Sequence, residues 1–346
     1  MAQKRGPVFL TLPAFSSSGV REVTAGLKRL MVCGAVTLLT CGACPAQSQS
    51  GSQQAGLPQQ QSQQPQPEFI EKGRRLTREG KLEEALAVYR QELQGAPDSV
   101  QAHVAAGVAL DLMGRGAEGR QHFTSAINAA RTPQEKAGAQ RRMAISYAFE
   151  GDCAGAVRFA QQVFDYHVAE KNFFQQGEIA NEVARVCLES GDLNAAEKWY
   201  RTGHEVGLRE PDIKPERVAL WNFRWAHAQA RLAARRGRKD EARKHVAAAK
   251  ALLDQSPELA KDQAIFFPYL TGYVAFHGGD YQTALTELLK ANQDDAFIQT
   301  LIGQSYEKLG QAEKATEYYR KAAQVTSHNP PAAYARPFAR KKLGMK

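Results

Sequence analysis

Strand signals are nearly absent from this chain of 346 residues. No long run alternates Val, Ile or Thr with polar residues, which leaves an all-α fold without a serious competitor. Aromatic residues make up only 8% of the chain, and much of the apolar content is alanine instead. Catalytic signatures are missing too: there is no HExxH, no GxSxG, no phosphate loop ending in GK[ST], and no glycine-rich dinucleotide signature after a strand. "HEVGL" at His204 has Leu208 where a second zinc-binding histidine would stand. The eight histidines are scattered; His122 and His245 sit where a surface or core histidine is the ordinary reading. Nothing points to a cofactor or a metal, and the chain reads as non-enzymatic. Its one sustained apolar run, Leu30 to about Cys44, is short for a membrane span.

What is present favours helix. A content of 43% hydrophobic and 23% charged residues is that of a soluble, ordered protein. Ala, Leu, Glu, Gln, Lys and Arg lose little on entering a helix. The formal charge is +9, but five cations and one acid precede residue 47, so the remainder carries +5. A charge of that size suits acidic surfaces without demanding nucleic acid.

The beginning of the chain reads as an address. "LKRLMVCGAVTLLTCGACPAQSQS" places Lys28 and Arg29 before an apolar run, then Pro45, Ala46 and a polar stretch, the layout of a secretory signal. Residues 1–27 are a long polar preface, which leaves open whether translation starts at Met1 or nearer Met31. Two exits are compatible with residues 1–46. Cleavage after Ala46 releases a soluble protein, whereas "CGAC" resembles the lipobox of bacterial lipoproteins, in which Cys44 receives the lipid. Cys41 stands where that motif prefers leucine. Residues 47–67 are Gln, Ser and Pro with almost nothing apolar, a composition that cannot offset its ordering entropy, and they read as a flexible tether. The expected location is the periplasm or the cell envelope, with the membrane reached only through a lipid.

Residues 68–326 fall into register on a glycine followed five residues later by a small residue and nine later by a large apolar one, the third unit having the smaller Ala160 there. The series runs Gly80, Ala85, Tyr89; Gly114, Gly119, Phe123; Gly151, Ala156, Ala160; Gly191, Ala196, Tyr200; Gly237, Ala242, Val246; Gly279, Ala284, Leu288; and Gly310, Ala315, Tyr319. The glycine suits a chain reversal between two helices. The small residue lets the second helix approach the first, and the large one fills the space a turn later. Seven residues before each glycine the first helix has its own small residue: Gly73, Gly107, Ala144, Ala184, Ala230, Gly272 and Gly303.

This layout resembles the tetratricopeptide repeat. The resemblance implies a right-handed α-solenoid of about seven helical hairpins whose first helices line a concave face. Glycine-to-glycine spacings of 34, 37, 40, 46, 42 and 31 imply longer helices or connections in the middle. "REPDIKPERV", residues 209–218, is the clearest interruption; it is compatible with a hinge or a boundary between two subdomains, and a continuous array is the preferred expectation there. Residues 327–346 read as a basic cap or tail.

The resemblance implies a protein or peptide partner on exposed first-helix positions. By register these are Arg74, Arg78, Arg141, Arg142, Asn181, Arg185, His227, Arg231, Arg235, Tyr269, Tyr273 and Gln304. The lysine and asparagine set by which some members hold a C-terminal carboxylate is not reproduced. Glu178, Glu182 and Glu189 interrupt a basic stripe that includes Arg141, Arg142, Arg231, Arg235 and Arg236, which argues against nucleic acid. The rival readings are an enzyme with an unrecognised site among helical residues and a self-assembling structural protein. After the signal, two cysteines remain. A Cys153–Cys187 bridge fits an oxidising compartment, but the core-facing position of Cys187 favours a free, buried thiol.

Overall fold

The structure is a computed structural model and describes residues 66–345. The signal region, with Cys44, lies outside the described residues. All regular elements among the described residues are helices, arranged as consecutive antiparallel pairs: α1 (Glu68–Arg78) with α2 (Leu82–Gly95), α3 (Val100–Met113) with α4 (Gly116–Ala129), α5 (Pro133–Phe149) with α6 (Cys153–Ala169), and α7 (Phe173–Ser190) with α8 (Leu193–Gly207). Then follow α9 (Pro215–Arg235) with α10 (Lys239–Gln255), the short α11 (Pro257–Gln263), α12 (Phe267–His277) with α13 (Tyr281–Leu288), α14 (Ala296–Lys308) with α15 (Ala312–Gln324), and a last helix, α16 (Pro330–Lys342).

All seven glycines of the sequence register adopt left-handed backbone, with φ between 70 and 95°. Any other L-residue is strained there, since its Cβ crowds the following carbonyl. In three units the next residue is an aspartate that caps the second helix. Asp152, Asp192 and Asp280 accept hydrogen bonds from the amides of Gly155, Ala195 and Thr283 at 2.8, 2.9 and 3.0 Å. Each such cap contributes about 1 kcal/mol.

Packing inside a hairpin follows the small-large register. A Cβ added to Gly107 would stand 2.6 Å from the ring of Phe123, and one on Gly303 would stand 2.7 Å from that of Tyr319. The stretched spacings also have physical causes. α9 is 21 residues long and is preceded by a turn over 208–214, while α11 and a 3-10 turn (Ala264–Phe266) are inserted before α12. The 209–218 segment does not interrupt packing, because Trp221 is fully buried against Gly177 and Gly207, where any side chain would collide with the indole.

One observation departs from the expectations and another extends them. Cys153 and Cys187 are joined in a disulfide, their Cα atoms 4.8 Å apart. Antiparallel packing of α6 on α7 brings the start of one beside the end of the other, so Cys187 is fully buried as expected but is not free. The C-terminal segment is also more than a tail: α16 packs on α14 and α15, and also on α5 and α7, far back in sequence.

Candidate functional site

The central first helices carry chemistry in i, i+4, i+8 ladders, spacing that puts three side chains on one helix face. On α7 these are Asn181, Arg185 and Glu189; on α9, His227, Arg231 and Arg235; on α12, Tyr269, Tyr273 and His277. The ladders meet. Arg235 Nη1 donates to Glu189 Oε2 at 2.9 Å, and the Tyr273 hydroxyl donates to Glu189 Oε1 at 3.4 Å. The Arg231 guanidinium lies 5.2 Å from the centroid of the Tyr200 ring, and that of Arg185 lies 5.0 Å from Phe297. Tyr269 packs against both His227 and Tyr273.

Burial sets the protonation states. It drives the His227 pKa well below the histidine range, helped by the Arg231 and Arg185 cations, so the imidazole is neutral. Burial, with Arg235 nearby, holds His277 down to about 4. It also raises the Glu189 carboxyl, against the pull of Arg235, Arg185 and Arg231.

The twelve sequence-predicted groove residues therefore divide. His227, Arg231, Tyr269 and Tyr273 are buried, which corrects the expectation that they are exposed. The cause is that α12 packs on α9 while α14 and α16 cover the same region, the Phe297 and Tyr334 rings lying tilted against each other with centroids 5.1 Å apart. Asn181, Arg185, Arg235 and Gln304 are half-buried beside them. Arg141 is paired with Glu182, Nε to Oε2 at 2.8 Å. Glu178 pairs with Arg224, so each of the three α7 glutamates answers an arginine.

What stays open is the face of the first and third units. Arg74 and Arg78 on α1 are exposed, and Arg142 on α5 keeps an exposed flank while donating to the His328 carbonyl at 2.9 Å. The Arg142 pKa is lowered by desolvation first and then by the Arg141 cation, with Arg74 adding to the repulsion, so these cations lie in one field.

A second buried polar cluster was not anticipated from the sequence. Ser146 donates to Asp111 Oδ1 and His328 Nε2 to Asp111 Oδ2, both at 2.8 Å. Serine, aspartate and histidine are all present, but the carboxylate stands between the other two. His328 does not contact Ser146, so the order differs from that of a serine–histidine–aspartate relay. It is a tether for the C-terminal segment, reinforced by Arg336, whose Nε donates to the Leu112 carbonyl at 2.8 Å. The signal was a lone charge in the apolar run "GVALDLM". An open cavity of about 410 Å³ lies beside it, lined by Leu112, Phe149, Arg336, Arg340 and Met345 among others. Among the described residues no group of three or more His, Cys, Asp or Glu is set to hold a metal.

Two family models described as "Tetratricopeptide repeat" match the chain, over residues 70–136 and 298–329. Among solved structures the chain is similar to a tetratricopeptide repeat protein from Parabacteroides merdae, at 15% identity and a TM-score of 0.46, covering 79% of this chain and 97% of that one. It is also similar to the Cut9–Hcn1 hetero-tetramer of the APC/C, at 14% identity and a TM-score of 0.38, covering 77% of this chain and 48% of that one. No curated protein matches it.

Proposed function

We propose that this chain, which is a tetratricopeptide repeat protein, is a non-enzymatic scaffold of the cell envelope that docks an acidic protein segment on the first-helix face of its N-terminal units. Repeats of this family make protein-interaction scaffolds. The observation that carries it is the set of Arg74, Arg78 and Arg142, cations left open where the corresponding central positions are buried or paired. Exposed arginine forks suit carboxylates. The secretory layout of residues 28–46 supports an extracytoplasmic setting, and so does the Cys153–Cys187 disulfide, since such bonds persist in oxidising compartments.

The test is capture of envelope proteins by the wild-type chain and by charge-reversed variants. Arg74→Glu with Arg142→Glu is expected to lose a partner that Arg243→Glu, on the opposite helix of its hairpin, retains. Equal capture by all three chains would reject the reading.

A further inference from the structure

A buried cation is ordinarily matched by a buried anion, because an unpaired charge in a low-dielectric interior is strongly unfavourable. The centre formed by α7, α8, α9 and α12 departs from this. Arg185 and Arg231 lie against aromatic rings, and among the described residues neither has a carboxylate within ion-pair distance. Glu189 is held by Arg235 and Tyr273. Asp295, at the margin, uses Oδ1 to cap α14, accepting from Phe297 N at 2.8 Å.

The hydrogen-bond ledger is unbalanced in the same direction. Nε of both arginines, the hydroxyls of Tyr200 and Tyr269, and Nε2 of His227 have no well-formed partner. These are not surface groups: Tyr200, Tyr269, Arg231 and His227 are 3, 6, 7 and 9% exposed. Arginine only donates, and no carboxylate pairs with either guanidinium, so the cluster holds unmatched positive charge. Arg185 and Arg231 are also close enough to repel each other.

We propose that Arg185, Arg231 and the phenols of Tyr200 and Tyr269 form a binding site for a small organic carboxylate. A carboxylate is planar, accepts forked N–H pairs from guanidinium groups, and can take further O–H donors on its remaining lone pairs. Phe297 and the tyrosine rings supply an apolar wall for the carbon part. This inference concerns other units than the docking face and stands or falls separately from it.

The purified full chain, dialysed free of organic acids, is titrated with acetate and with succinate, and with chloride and inorganic phosphate at matched ionic strength. A free carboxylate is expected to give saturable heat and to raise the Tm by on the order of 5 °C at hundredfold excess over its Kd, while chloride does not. Arg231→Met should weaken binding at least tenfold yet leave the unliganded Tm unchanged or higher, because it removes an unmatched charge. Tyr200→Phe, which removes one hydroxyl without changing shape, should weaken binding several-fold. The proposal is overturned if no carboxylate binds saturably, if phosphate alone does, or if Tyr200→Phe leaves affinity intact. It is also overturned if a glutamate-rich peptide stabilises the chain where the free acids do not.

Discussion

His328 and Asp111 share a buried hydrogen bond of 2.8 Å across 217 positions of sequence, fastening the segment before α16 to the end of α3. His328→Ala would leave the Asp111 carboxylate with Ser146 alone and should cost about 3 kcal/mol. Asp111→Ala would strand two donors and should cost about 1–3 kcal/mol. Residues in one network are coupled, so the double variant should cost less than the two single costs together. Urea denaturation of the four chains measures this, with proteolysis between residues 324 and 330 reporting release of α16. Strictly additive costs would mean that the pair does not act as a tether.

Several buried histidines make stability depend on pH in one direction. His227, His277 and His328 all have pKa values lowered chiefly by burial. The unfolded chain therefore binds more protons than the folded chain below about pH 6.5. Stability should be fully present above that pH and decline as pH falls towards 4, the His277 contribution alone reaching about 3 kcal/mol. Glu189, raised by burial, acts in the opposite sense, its contribution growing as pH falls through its raised pKa. Thermal melts from pH 8 to 4.5 should show the decline, and His277→Gln should flatten it. A stability independent of pH across that window would contradict the burial assigned to these rings.

The disulfide spans 34 positions. Constraining a loop of that length in the unfolded chain stabilises by about 3–4 kcal/mol. Reduction, or Cys153→Ser with Cys187→Ser, should lower the Tm, and the intact mass under non-reducing conditions should be lighter by two hydrogens than after reduction. Two free thiols in the untreated protein would contradict the bond.

The hairpin register was legible because its causes are local. A glycine with φ near 80° and a small residue facing Phe123 or Tyr319 leave marks in one short stretch of sequence. The C-terminal tether was not legible, since His328 and Asp111 meet only after the intervening units have packed. The same holds for the fate of the groove residues. Register placed Arg231 and Tyr273 correctly on first helices, but whether a first-helix face is open depends on which helix returns to cover it. Here α16 and α14 cover the central units and leave α1 and part of α5 exposed. Cys187 was read correctly as buried; its bond to Cys153 depended on the way α6 meets α7.

Docking at the arginine face is tested most directly by site-specific photocrosslinking in the native envelope. A photoreactive residue at position 78, on α1, should yield a discrete adduct that disappears when Arg74 and Arg142 are reversed to glutamate, while one at position 243, on α10, should yield none. Adducts from position 243 and none from position 78 would contradict the account.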